Sequence, residues 1–253
     1  MGRSVNLRPA PPPGAFYHRR SNRHYTVADN TIRRHQLDSA GRQINVVEKP
    51  ISFAIGSGNH AVTFVHRTPQ GRLLELPLSW YERLKGYAMS PGYDRADHYG
   101  FRREISDSCL FCHSAGREPA PIDCNRCHGP VEAHLKAPTR HNILNPSRLE
   151  PQRQLEICLQ CHLETASRGI EDSLLRPGRG VWSFRPGEAL GDYKMYFDRA
   201  DSVETDRFEI NHAGYRLLQS TCFRESEGKL LCTTCHDPHA AKVRKDACTQ
   251  CHA

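Results

Sequence analysis

Long apolar runs are missing from this chain of 253 residues. No stretch approaches the ~20 consecutive apolar residues of a membrane span, which excludes a helical transmembrane segment. No apolar segment follows Met1 either. MGRSVNLRPAPPPGAF is polar and Pro-rich and does not read as a secretory signal. Asn6 stands where a myristoylation pattern needs Ser or Thr. Lysine is scarce, with 7 residues against 28 arginines, and the formal net charge is +7. No basic stretch carries the interleaved aromatics of a strand-binding surface, so this charge does not point to nucleic acid. Methionine is limited to Met1, Met89 and Met195, and no cysteine occurs from Tyr17 to Tyr93.

Cysteine is concentrated instead in one repeated pattern. Five segments read Cys-x-x-Cys-His: Cys109, Cys112 and His113; Cys124, Cys127 and His128; Cys158, Cys161 and His162; Cys232, Cys235 and His236; Cys248, Cys251 and His252. Two thiols at this spacing reach the two vinyl groups of one heme, and the adjacent imidazole then lies under the iron as its proximal ligand. Ten of the 11 cysteines belong to these motifs, which leaves Cys222 and argues against a disulfide framework. A structural zinc site is the alternative. It needs four ligands per metal and gives no reason for a His directly after every second Cys. The expected cofactor is therefore heme c, five groups covalently attached. Cys222 reads as a buried reduced thiol packing like a small apolar side chain, with a thiol ligand or an interchain bridge as the other readings.

Heme propionates would offset the positive balance, and part of the arginine excess reads as their partners, since Arg pairs with carboxylates bidentately. A high-GC genome would produce the same excess. Each iron also has a sixth position, for which His and Met are the candidates. With three Met and 15 His, ten of them outside the motifs, bis-His ligation of all five irons is arithmetically easy and favours low potentials. Among the ten, His239 in CTTCHDPH and His134 in CNRCHGPVEAH are tethered too closely to their own motifs to reach across the porphyrin, so each is expected to serve a neighbouring heme. His60 sits at a GSGNH turn whose glycines permit close backbone approach to a flat cofactor. His212 precedes an expected heme-packing helix. His18, His24, His35, His66, His98 and His141 are weaker candidates.

Three regions are expected: a Pro-rich extended arm at 1–16, a β-rich domain at 17–93 and a pentaheme cytochrome c domain at 94–253. The middle region alternates runs such as HYTV, TIRRHQL, ISFAI and AVTFVHR with the turn signals ADN, DSAG, GSGN and TPQG. It reads as an antiparallel meander of about five or six strands. The fold class is thus α+β with little regular secondary structure: an N-terminal antiparallel β-meander, then a multiheme c-type cytochrome domain of short helices and loops. Helices are expected over Glu150–Glu164, with Pro151 in the first turn, and over Ala213–Phe223. Ten residues separate His113 from Cys124 and eleven separate His236 from Cys248, which predicts two heme pairs in contact. The aromatic-rich VWSFRPGEALGDYKMYF is expected either to cover heme faces or to form an ordinary surface excursion with core aromatics.

SPGYDRADHYGFRREISDSCLFCH, IDCNRCHGPVEAH, ILNPSRLEPQRQLEICLQCH, FRPGEALGDY and CFRESEGKLLCTTCHDPH together resemble the multiheme c-type cytochrome modules found with tetratricopeptide repeats in exported bacterial proteins. The wider group is similar to cytochrome c-554-like electron carriers. The resemblance runs from about Tyr25 onward. It implies that His134 and His239 occupy positions that ligate neighbouring hemes. Those modules carry a further heme motif upstream and repeats downstream. Both ends of this chain therefore read as cut, or the protein as a stripped-down relative.

The functional expectation is electron transfer through closely spaced low-potential bis-His hemes, outside the cytoplasm, in the periplasm or extracellularly, with the export signal removed or lying upstream. Redox partner proteins are implied, together with self-association or a second cytochrome chain, including as a subunit of a heme-lined extracellular filament. The ends are where contact with another polypeptide is expected, because little chain follows Cys248–His252 to cover its heme. The alternative is a multiheme reductase of nitrite, hydroxylamine or a sulfur oxyanion. That activity needs an open coordination site with acid/base groups beside it, and all five motifs end in His.

Overall fold

A computed structural model of the chain describes residues 3–163, 173–196, 213–240, 242–249 and 252. They form a mixed α+β protein, mostly antiparallel sheet with an N-terminal β-meander and a few short helices. The chain divides into two compact units, Met1–Ile122 and Asp123–Ala253.

The first unit contains β1 (Val5–Asn6), β2 (Gly14–His18), β3 (Arg23–Ala28), β4 (Thr31–Leu37), β5 (Gln43–Pro50), β6 (Phe53–Ile55), β7 (Ala61–Arg67), β8 (Leu73–Tyr81) and β9 (Gly86–Met89). Strands β2 to β5 form one four-stranded meander, and a second sheet runs in the order β1-β6-β7-β8-β9. All the pairings are antiparallel. The β3–β4 hairpin turns on Asp29 and Asn30, at φ 47° and 58°, the left-handed pair that a two-residue hairpin requires and that Asp and Asn tolerate. Alternation then sends Tyr25, Val27 and Ile32 from one sheet, and Phe64, Leu76, Leu78, Tyr87 and Met89 from the other, into one apolar cluster.

Nine strands form where the turn signals suggest about five or six, partly because the Pro-rich lead-in contributes two. Val5 pairs with Ile55 and is buried. Ser4 O accepts from Gly56 N at 2.8 Å, and the Tyr87 hydroxyl donates to Pro12 O. Residues beyond Tyr93 also belong to this unit. Leu74 and Glu104 form an antiparallel bridge, and Glu75 N and Ile105 N donate to Arg103 O and Leu73 O, each at 2.9 Å. This backbone pairing along β8 carries α1 (Asp107–His113) into the β-rich unit. The composition shift at residues 93/94 therefore precedes the boundary between units by about thirty residues, because ladder hydrogen bonds, not composition, decide what packs with β8.

The second unit contains α2 (Asn125–His128), α3 (Glu132–Lys136), α4 (Pro151–His162), a β10–β11 hairpin (Ser173–Leu175 with Lys194–Tyr196), α5 (Ala213–Gln219), α6 (Thr221–Glu225), α7 (Cys232–Cys235) and a β12–β13 pair (His236–Asp237 with Lys242–Val243). Pro151 opens α4, where its missing N–H costs nothing. The helix expected over Ala213–Phe223 forms as α5 and α6, because the Ser220 hydroxyl accepts from Phe223 N at 3.2 Å and caps a new start. In the aromatic-rich segment, Phe184 and Tyr193 pack edge to face at 5.4 Å, and the Arg126 guanidinium lies over Trp182 at 5.1 Å. Leu190 N donates to the buried Glu156 carboxylate at 3.3 Å, which ties this segment to α4. Among the described residues, no helix is long and apolar enough to cross a membrane.

Candidate heme-binding site

The first four Cys-x-x-Cys-His motifs each lie at a helical turn. In a helix, residues i, i+3 and i+4 share one face while i+1 and i+2 turn away. In α1, Leu110 and Phe111 are buried, Cys109 is exposed and Cys112 half-buried. In α4, Leu159 and Gln160 are buried, while Cys158 and Cys161 remain half-buried. The intervening residues thus anchor the turn and leave the thiol pair on the open side. Backbone bonds close the same turn elsewhere: Cys124 O accepts from His128 N at 2.9 Å, and Cys248 O accepts from His252 N at 2.9 Å. Cys251 lies outside the described residues. The ten described cysteines are all unbridged.

Three motifs of the second unit converge. Cys158 and Cys232 share a thiol hydrogen bond, which pushes Cys158 up and holds Cys232 down to about 7. Cys127 lies close enough to act on Cys158 electrostatically, and His236 acts likewise on His162. Helix α4 is pinned to the second motif by the Gln160 amide, which donates to Arg126 O at 3.1 Å.

The sequence-marked histidines differ in what their ring nitrogens do. The Nδ1 of His128 bonds Leu144 O at 2.8 Å. A carbonyl accepts only from N–H, so this contact fixes the tautomer and leaves Nε2 as the donor atom toward a metal. His134 is held in the same way, with Nδ1 at 3.1 Å from Thr139 O and 3.0 Å from Asn142 Oδ1. His66 Nδ1 lies 2.9 Å from Pro50 O. The His239 ring lies parallel to that of His128, with centres 6.0 Å apart and planes 7° from each other. Asp237 builds the turn that presents His239, accepting from His239 N at 2.9 Å and Ala240 N at 3.1 Å; these two amides hold its carboxyl below the usual range. Gly129 follows His128 at φ 68°, a conformation that favours glycine and lets the chain turn directly after this histidine.

Other candidates are committed elsewhere or stand apart. His18 bonds Ser21 through Nδ1 and Asp94 through Nε2. His98 accepts from Gly100 N at Nδ1, and its Nε2 meets Arg23 and the Tyr25 hydroxyl. Burial and the Arg23 charge lower His98 to about 4, so it is neutral. His24 and His35 face each other across β3 and β4 with ring centres 5.1 Å apart. His141 accepts from Arg140 Nε at 3.0 Å. His60 is exposed on the turn between β6 and β7. There Gly56, at φ 115°, leaves no room for a side chain beside Ala61 O, so its glycine serves the turn itself. His212 lies outside the described residues. Sequence reasoning missed Leu144, Asn142 and Asp237, which orient His128, His134 and His239. An Asp or Asn near a candidate ligand is the only signal available beforehand, and Leu144 acts through its backbone and leaves none.

No protein-family model, curated protein or solved structure matches this chain.

Proposed function

We propose that this chain is a pentaheme c-type cytochrome that relays electrons outside the cytoplasm, through bis-His hemes bound at its five Cys-x-x-Cys-His motifs. The observation that carries the reading is the His128–His239 pair. With metal–imidazole bonds of about 2 Å, two rings on opposite sides of one ion have centres about 6 Å apart, and the pair has this separation with nearly parallel planes. Its donor set fits the cofactor: two thiols on one turn, a proximal imidazole with Nδ1 tied to Leu144 O, and a second imidazole from another motif's loop. A bound heme supplies reversible one-electron chemistry, with its potential set by axial ligands and surroundings.

The chain's own residues do the rest. Buried Leu110 and Phe111 hold the turn that carries Cys109 and Cys112, and buried Leu159 and Gln160 hold the turn that carries Cys158 and Cys161. Leu144 O, Thr139 O and Asn142 orient imidazoles. The Asp237 turn holds His239 beside His128, so the two imidazoles would hold one iron between them, and the convergence of the second, third and fourth motifs would bring their cofactors close together. Covalent attachment requires export, so the protein works in the periplasm or beyond the cell, handing electrons to redox partner proteins or to another cytochrome chain. The resemblance to c-554-like carriers supports the same reading.

Intact mass in denaturant should exceed that of the bare chain by five heme masses; four or fewer, or bound zinc, defeats the proposal. His239→Ala should convert one iron to high spin while all five hemes stay attached. A wholly low-spin, unchanged spectrum removes His239 from the ligand set. A high-spin iron in the native protein together with saturable turnover of nitrite or hydroxylamine would make it a reductase.

A further inference from the structure

A cavity of about 240 Å³ opens beside His134, lined by Pro138, Thr139, Arg140, Ile143, Asn145 and Arg148. Three features give it a chemical character. His134 Nδ1 is held by Thr139 O and Asn142, so Nε2 is the nitrogen left to bind a metal. Ile143 and Pro138 supply apolar wall. Arg140 and Arg148 bring two positive charges, and among the described residues neither guanidinium has a carboxylate within salt-bridge distance. Arg140 Nε donates to His141 Nε2 at 3.0 Å, and the Arg148 guanidinium donates to Arg140 O at 3.4 Å. The second of these tethers one arginine to the backbone of the other. The volume falls below the ~300 Å³ at which pockets begin to enclose a drug-sized ligand. It fits the edge of a larger flat molecule, and that edge must be anionic to match the charge.

We infer that Arg140 and Arg148 form a propionate clamp for the heme whose iron takes His134 as its axial ligand. The inference rests on the heme reading above and extends it to two residues outside every motif. One imidazole, one apolar wall and two guanidinia match the three chemically distinct parts of a heme edge: iron, porphyrin and carboxylates. Arg fits because its planar fork meets a carboxylate with two parallel hydrogen bonds and stays charged in a desolvated site. The clamp also has an electronic consequence. Two fixed positive charges beside a heme favour its reduced form, so Arg140 and Arg148 raise the potential of that one center relative to an unclamped bis-His heme.

The test uses the full, heme-loaded protein. In the Arg140→Gln/Arg148→Gln double variant, intact mass should still show five hemes and the electron paramagnetic resonance spectrum should stay low-spin. Spectropotentiometric titration should show one of the five midpoints shifted downward. The Arg140→Lys/Arg148→Lys variant keeps the charge without the fork and should recover most of that shift. Five native midpoints in the Gln variant overturn the clamp. So does a shift that Lys fails to reverse, because that marks a packing role. His134→Ala, run in parallel, separates the levels. A single high-spin iron with silent Arg variants leaves the proposed function standing and removes only the clamp. A fully low-spin His134→Ala spectrum removes the clamp together with His134 ligation.

Discussion

In the first unit, Ile32, Val65, Leu76 and Leu78 are withdrawn completely from solvent, and two antiparallel sheets face each other across them. In the second unit, α4 buries Leu155, Ile157 and Leu159, and Val131, Phe184, Leu190, Tyr193 and Ala247 are the other described buried apolar side chains. Its helices run from four to 12 residues, lengths that are marginal in water without tertiary support. One unit thus closes its core with its own side chains. The other presents short turns, of which α4 buries its inner residues while α2 and α7 bury none. A segment built this way needs a further apolar body to pack against, and on the proposed reading that body is porphyrin.

The largest break in this comparison comes from removing attachment. Replacing Cys124, Cys127, Cys158, Cys161, Cys232, Cys235, Cys248 and Cys251 by Ser should abolish the second unit's helical circular dichroism and open it to protease. The β signal and protease resistance of residues 3–122 should persist. If helices α2 to α7 survive without attachment, the second unit has a sufficient core of its own and the contrast is wrong.

Next is Leu76→Ala in the first unit. A fully buried leucine in a two-sheet core costs about 2–5 kcal/mol when truncated, because the cavity collapses only partly. Denaturant midpoints followed by far-ultraviolet dichroism should drop accordingly, with the low-spin heme spectrum at native pH unchanged. The reciprocal variant is Gly214→Ala. Its new methyl would overlap Leu159 and lie 2.9 Å from His162 O, which forces α5 off the helix bearing the third motif. About 1–3 kcal/mol of overpacking cost is expected, together with a disturbed visible spectrum that Leu76→Ala does not give.

How far the sequence anticipates this structure differs between the units for a physical reason. The motif turns are legible because i, i+3, i+4 spacing is a local property and the chemistry sits on it. The β-meander is legible because alternation and the Asp29–Asn30 turn are also local. Strand β1 is not. Two residues carry no propensity signal, and Val5 becomes a strand only because β6 offers it an open edge. The same holds for the segment from Arg103 to Ile105, which joins the first unit through hydrogen bonds to β8. Among the histidines, composition gives a surplus but not its use. The sequence ranks His18 and His98 below His134 but leaves them available, whereas long-range contacts with Asp94, Arg23 and Tyr25 occupy their nitrogens. The local pairing of His134 with Thr139 and Asn142 has the opposite effect and orients it.

The smallest expected effect sharpens the comparison from inside the first unit, where two buried polar groups are a source of pH dependence. Glu75 sits with 13% of its side chain exposed, 3.0 Å from Arg103. Burial outweighs that arginine and raises its carboxyl to about 7. Relative to an unfolded carboxyl near 4.5, the folded state binds the extra proton between these values, so stability falls as pH rises from about 4.5 to about 7. His98 does the reverse. Burial and Arg23 lower it to about 4 from 6.5, so the unfolded state binds the extra proton and stability falls as pH drops from about 6.5 to about 4. Each group contributes a slope of at most about 1.4 kcal/mol per pH unit, and over the shared window the slopes oppose. The native first unit should therefore show nearly flat stability between pH 4.5 and 6.5, the range both shifts span. Glu75→Gln should unmask stability that rises with pH, and His98→Gln should unmask stability that falls. Denaturant midpoints of the three proteins across this range decide it: parallel curves would mean that neither buried group controls the linkage.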